Sequence, residues 1–172
     1  MATRGRLFQE PRGSYFLFGP RGTGKSTLLG QRHPDALYID LLLPDVFRAY
    51  AARPERLLEV AAGHRGDPTV VIDEVQRVPE LLPVVHHALE SQPGAKRFIL
   101  TGSSARKLRR SGTDLLAGRL VMRSLHPYVA AELGSDFDLD RALRAGLVPL
   151  VVEASDPDDT LAAMPPCTST RR

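Results

Sequence analysis

Residues 14–27 read SYFLFGPRGTGKST. The apolar run Ser14–Gly19 ends in Gly-Pro and reads as a buried strand, and a helix begins at Gly24–Gln31. Between them, Gly19-Pro20-Arg21-Gly22-Thr23-Gly24-Lys25-Ser26 fits the spacing G-x-x-x-x-G-K-S/T without a gap. The glycines let the backbone fold tightly and keep side-chain bulk away from its N–H groups, which then face an anion. The helix that follows adds free N–H groups and the positive end of its dipole. In such a loop Lys25 reaches the β- and γ-phosphates of a nucleotide, and the Ser26 hydroxyl ligates Mg²⁺. Thr27 is a further candidate, bonding the α-phosphate. A strand before and a helix after the loop set it apart from a chance glycine-rich turn.

Outward from the loop, strand and helix patterns alternate. Ala36–Asp40 is a second strand, and Pro44–Ala62 is helical with a break near Pro54. Thr69–Ile72 is a third strand and Glu80–Ser91 an amphipathic helix. Arg97–Thr101 is a fourth strand, followed by a basic helix over about 105–117. Leu120–Leu125 reads as a fifth strand and Tyr128–Leu133 as a short helix. Strands separated by helices imply βαβ units. The expected class is α/β, a P-loop NTPase with a parallel sheet of about five strands and helices on both faces. Residues 1–155 read as the ATPase domain, and 156–172, rich in Pro, Thr, Ser and charge, as a tail.

The third strand ends in two acids, Val70-Val71-Ile72-Asp73-Glu74. Beside a phosphate loop, the first acid suits Mg²⁺ and the second suits a general base for an attacking water. Alone, the same pattern fits a strand followed by an acidic helix cap. The fourth strand also has a polar end, Thr101-Gly102-Ser103-Ser104. With the loop strand expected between the third and fourth strands, this end faces the γ-phosphate. Ser103 is the preferred sensor, with Thr101 and Ser104 as alternatives; a helix-cap role fits these hydroxyls equally. Arg119 is the candidate for neutralising transition-state charge, from the same chain or a neighbouring one, against a surface ion pair as the plainer reading. Gln76 and Arg77 fit either phosphate sensing or a solvated loop. Tyr38, Phe47 and Tyr50 read as core, His86 and His87 as packing or exposed residues.

Charge is distributed unevenly. Residues 1–32 carry six Lys/Arg against one acid, residues 105–123 six against one, and residues 132–159 eight acids against two arginines. Two basic segments and an acidic end point to an anion site more than to a uniform nucleic-acid coat. Arg106, Lys107, Arg109 and Arg110 form a basic patch that DNA could use, but no aromatic residue accompanies it for base stacking. No apolar run reaches 18 residues, no signal-peptide core follows Met1, and the single cysteine, Cys167, has no partner in the chain. The expected compartment is the cytoplasm, without membrane attachment.

GPRGTGKST at 19–27, YIDL at 38–41, VVIDEVQRVPELLPVVHHAL at 70–89, FILTGSSARKLRRSGTDLLAGR at 98–119 and LHPYVAAEL at 125–133 resemble the prokaryotic AAA+-like ATPases. The closer resemblance is to the AAA-domain ATPases usually joined to a C-terminal DUF4143 domain, and it covers roughly residues 5–155. It implies a P-loop fold with an additional strand, the loop strand central, and ATP with Mg²⁺ as cofactors. No Asn-Lys-x-Asp guanine block is present, which agrees. It also implies that Lys25, Ser26, Asp73, Glu74 and the hydroxyls of 101–104 hold the nucleotide and catalytic positions. The partner is an unknown protein or second domain, and oligomers are possible. One departure stands out. Family members continue into the second domain, whereas Met164–Thr170 reads unlike any element. Codons for Met164–Ser169, read two bases later, can encode Ala-Ala-Leu-Tyr-Leu, similar to the family's next helix. A frameshift near Ala163 is therefore the hypothesis, and an immediate stop in the shifted frame would refute it. The alternatives to an ATP hydrolase are a nucleotide-binding module without productive hydrolysis and a nucleotide-dependent DNA-associated protein.

Overall fold

Burial sorts the strands before any pairing is considered. In the computed structural model, which describes residues 4–103, 108 and 119–164, Tyr15–Phe18 (β1) and Thr69–Asp73 (β3) are buried at every residue. Arg97–Gly102 (β4) is buried at all but its first residue. Leu37–Asp40 (β2) is partly exposed, and Val121–Ser124 (β5) is exposed throughout. A strand covered on both faces belongs inside a parallel sheet, and a polar or exposed one belongs at its edge. The observed order is β2-β3-β4-β1-β5, all neighbours parallel.

This order corrects one expectation. The loop strand β1 does not lie between the third and fourth strands; β4 lies between β1 and β3. The apolar Phe98-Ile99-Leu100 run of β4 has no face to offer water, so it fills the interior beside β1. The parallel five-stranded sheet itself agrees with the expected class, and so does the break in the second helical segment, where Pro44–Ala52 (α2) and Arg56–Gly63 (α3) flank Pro54.

By contacts the described residues fall into two compact units. The first comprises Phe8–Arg21 and Lys25–Leu125; the second comprises Met1–Leu7, Gly22–Gly24 and His126–Arg172. In the first, β1 alternates. Phe16 and Phe18 enter a core with Tyr50, Leu57, Ala61, Leu81, Leu82 and Val85, supplied by α2, α3 and Leu81–Ser91 (α4). Tyr15 and Leu17 face the opposite way, onto Leu28 and Leu29 of Lys25–Arg32 (α1). The connection after β1 crosses to the far edge, and those after β2 and β3 return. Right-handed crossovers running in opposite directions place their helices on opposite faces. In open parallel sheets of this kind ligands bind outside the carboxyl ends of the strands.

The second unit contains Ala130–Leu133 (α5), Leu139–Ala145 (α6), Pro149–Val152 (α7) and Pro157–Ala162 (α8). Asp138 caps α6 through the Arg141 N–H, and Asp156 caps α8 through the Asp159 N–H. Within the 156–172 segment expected to be a tail, Pro157–Ala162 is helical; the cap and Pro157 at the first turn supply the reason. Arg6 and Glu132 pair at 3.1 Å with side chains 7% and 5% exposed. Burial pushes the Glu132 carboxyl up, but N–H donors from Leu7 and Val129 together with Arg6 outweigh it and hold the group below its ordinary range. Among the described residues no helix is long and apolar enough to cross a membrane.

Candidate functional site

The register brings three strand ends level. Phe18 of β1 pairs with Gly102 of β4, Leu17 with Thr101, and Ile72 of β3 with Leu100, so Asp73 lies beside Thr101. The loop leaves this end directly after Phe18, and the Gly19 N–H donates to the Gly102 carbonyl at 3.3 Å. Gly22 and Gly24 both take positive φ, +82° and +81°, which a side chain would oppose. Within the second unit, the Leu150 N–H donates to the Gly22 carbonyl at 3.2 Å, and Arg6 Nη1 donates to the Thr23 carbonyl at 2.7 Å. A Cβ at Gly22 would meet the Leu150 Cβ at 3.0 Å. Thr23 is buried, whereas Pro20, Arg21, Ser26 and Thr27 are exposed.

Lys25 is 6% exposed. Its Nζ donates to the carbonyls of Gly19 (2.8 Å) and Pro20 (3.1 Å), the loop's own backbone. Burial lowers its pKa, and Glu74 and Asp73 partly restore it.

Asp73 is 3% exposed, and among the described residues the side chains that bond to its carboxylate are hydroxyls. Ser26 Oγ donates to Oδ2 at 2.6 Å, Tyr38 OH donates to the same oxygen at 2.9 Å, and Thr101 Oγ1 donates to Oδ1. Among the described residues no Lys, Arg or His forms an ion pair with it. Lys25 acts on this buried carboxylate only through space, and a carboxylate held by neutral donors is expensive to bury unless a cation comes closer. The donor set of one carboxylate and adjacent hydroxyls is hard oxygen. It fits Mg²⁺, which takes one or two carboxylates and completes its shell with water and substrate phosphates.

Glu74 stands next in the chain, half-buried, with φ 58° and ψ 47° in the left-handed region. Its N–H donates to Thr101 Oγ1 at 3.1 Å, and its Oε2 accepts from Gln76 Nε2. That Nε2 also lies 3.4 Å from Ser103 Oγ. Lys25, Ser26, Asp73, Glu74, Thr101 and Ser103 thus share one end of the sheet.

Arg119 does not. It precedes β5, whose first residue, Val121, pairs with Tyr15, the first residue of β1. It therefore sits at the other end of the strands from the loop, where its Nη2 donates to Glu90 at 3.0 Å with half the side chain exposed. The surface ion pair is what the structure shows, and the chain does not bring Arg119 to its own loop. Ser104, Arg106, Lys107, Arg109 and Arg110 lie outside the described residues. Tyr38 is a residue the sequence reading misplaced as core. Its hydroxyl reaches Asp73, and burial and that carboxylate push its pKa up, so it remains a donor. Its position beside Ile39 in an edge strand was the available signal, since a buried neighbour turns the tyrosine to the opposite face.

Comparison with known proteins places this geometry. A family model described as "AAA domain" (AAA_14) matches residues 11–134. Uncharacterized protein Mb2031c of Mycobacterium bovis and Uncharacterized protein Rv2008c of Mycobacterium tuberculosis are each 30% identical over 145 residues, 83% of this chain. The chain spans 31% of the length of either relative. Among solved structures, the ORC1 protein of Aeropyrum pernix, determined in complex with DNA, superposes with a TM-score of 0.50 at 17% identity, covering 88% of this chain and 52% of that one. That likeness concerns the fold. With the loop, the strand order and a family match over residues 11–134, the chain belongs to the AAA domain family of P-loop ATPase-type domains.

Proposed function

We propose that residues 1–155 bind ATP with Mg²⁺ and hydrolyse it to drive or switch a partner. The observation that carries this is Asp73, a buried carboxylate held by the hydroxyls of Ser26, Tyr38 and Thr101, 2.6 Å from the loop's Ser26. Loop N–H groups and Lys25 would hold the phosphates, and Ser26 and Asp73 would hold the metal, Asp73 directly or through water. Mg²⁺ supplies neutralisation of the charge that develops on the β- and γ-oxygens. Glu74 accepts a proton from water as its oxygen bonds to the γ-phosphorus. The bond from that phosphorus to the bridging oxygen breaks, leaving ADP and phosphate. Ser103 is the polar group beyond Glu74 that would orient the water.

Two substitutions test the reading. Lys25→Ala should abolish binding of a fluorescent ATP analogue. Glu74→Gln should keep binding and lower phosphate release by about 10²–10⁴-fold, the range for losing a positioned general base. Normal turnover in Glu74→Gln would remove Glu74 from the mechanism.

A second reading, nucleotide binding without productive hydrolysis, draws on Arg119, which faces Glu90 at the other end of the strands. Steady-state phosphate release measured beside a binding titration separates the two.

A further inference from the structure

The proposed reaction leaves one side chain at the site unused. Gln76 lies in the 3-10 turn Val75–Arg77, immediately after Glu74. Its Nε2 donates to Glu74 and approaches Ser103 Oγ at 3.4 Å. Its Oε1 is buried and has no hydrogen-bond partner among the described residues. The carboxylate dictates this orientation, because the reversed amide would set oxygen against oxygen. A leucine or methionine would fill the same space without an orphaned acceptor, whose desolvation is uncompensated. What glutamine alone adds is the N–H toward Glu74.

Gly102 gives independent support. It ends β4, and its φ is not positive. Nothing in its backbone therefore calls for glycine. A Cβ there would stand 2.7 Å from Gln76 Oε1, its tightest contact, and 3.3 Å from the Phe18 ring. The bare α-carbon makes room for the amide. Meanwhile the Glu74 main chain, an L-residue at φ 58°, is held by Thr101 through its N–H. Backbone and side chain of Glu74 are thus fixed by separate partners.

We infer that Gln76 is a positioning residue that aims the Glu74 carboxylate and ties it to Ser103, with Gly102 keeping the space its amide requires. The inference rests on hydrolysis as proposed above. Gln76 accepts no proton; it acts through Glu74.

The test uses the full chain and four proteins: wild type, Gln76→Leu, Gly102→Ala and the double variant. Each is measured for phosphate release and for affinity toward a non-hydrolysable ATP analogue with Mg²⁺. Both single variants should lose about 10–100-fold in kcat, the scale of a displaced catalytic group, with analogue affinity within about twofold. The double variant should be no slower than Gln76→Leu, because both changes act on kcat through the same amide and its contribution is already lost once Gln76 is replaced. A further readout needs no turnover. In the nucleotide-free wild type, the Gln76 side-chain amide should exchange slowly with solvent by NMR, and Glu74→Ala should remove that protection. Wild-type kcat in Gln76→Leu, additive losses in the double variant, or an unprotected amide would each overturn this role while leaving the hydrolase reading in place. Should Gln76→Leu fail to fold, Gly102→Ala and the amide measurement decide. Tight analogue binding with no phosphate release from wild type would instead overturn hydrolysis, and this role with it.

Discussion

The two ends of the sheet each hold a carboxylate, and they are treated in opposite ways. At the amino end, Glu10 accepts from Arg97 at 2.6 Å, His33 at 2.7 Å, Tyr15 at 3.1 Å and Arg32 at 3.3 Å. At the carboxyl end, Asp73 accepts from Ser26, Tyr38 and Thr101, all neutral. Hydrogen-bond number hardly separates them; charge does. Glu10 is complete within the chain and fastens Arg97 at the start of β4 to the segment before β1. Asp73 is satisfied in hydrogen bonds by neutral groups, with Lys25 acting on it only through space, an environment that suits the cation proposed for it. Sharing a sheet and an acid does not make two sites alike. The electrostatic sign of the donors distinguishes a fastening from a binding centre.

Neutralising each acid should break this contrast most sharply. Asp73→Asn should leave the nucleotide-free fold as stable as wild type or more so, because it deletes a buried unpaired charge. It should also erase stabilisation by Mg²⁺-ATP, which for a single site at a hundredfold excess over Kd is about 2.7 kcal/mol. Glu10→Gln should do the reverse. The ligand-induced rise in melting temperature persists, while basal stability falls by about 1–3 kcal/mol, the range for hydrogen bonds to a charged group and the partners left behind. Thermal melts of both variants, with and without Mg²⁺-ATP, check this. Equal ligand responses in the two would abolish the distinction.

Much of this was legible in the residues. The strands β1 to β4 announce themselves as short apolar runs closed by Gly, Pro or Asp, and Pro54 marks the break between α2 and α3. Lys25, Ser26 and Asp73 were legible for the same reason: local spacing fixes the loop, and the end of an apolar strand fixes the acid. Strand order was not. Nothing in the period of β4 says which strand it pairs with, and its position between β1 and β3 is a property of the packed sheet. Arg119 was misleading because a Gly-Arg step carries no information about which end of the strands it occupies. Helices α6 to α8, of four to seven residues, are too short for a periodicity argument. Their caps, Asp138 and Asp156, were the readable signal. Gln76 was undecidable, since its meaning depends on Ser103 and Gly102 from another strand.

Acid should sharpen the same comparison by a smaller amount. Burial pushes the Glu10 carboxyl up, but His33 and Arg97 prevail and hold it below its ordinary 4.5. The unfolded chain then takes up the proton at higher pH than the folded one. Stability from this group is complete above about pH 4.5 and drains away as pH falls through the folded value. Glu132, also held low, adds to the same trend. Denaturant melts from pH 7 to pH 3 should show stability falling with acid, and Glu10→Gln should flatten part of that fall. An unchanged acid limb in the variant would mean that Glu10 titrates alike in both states.

The smallest effect should come from Arg119, and its size is informative. Its pairing with Glu90 joins two side chains that are each about half exposed, 52% and 47%. Water screens such a pair, and the rotamer freedom lost in holding it offsets most of the attraction, leaving about 0–1 kcal/mol. Arg119→Ala should therefore shift the melting temperature marginally and leave analogue affinity unchanged. Turnover carries the sharper information. Within one chain the residue stands at the other end of β1 from the phosphate loop, so turnover at low protein concentration should stay within about twofold of wild type. Arginines that stabilise transferring phosphoryl groups are worth about 10³–10⁵ when they reach the site. A rise in turnover of that scale, seen as the wild type is concentrated and missing from Arg119→Ala, would place the residue at a neighbouring chain's nucleotide. A concentration-independent loss would contradict the strand register itself.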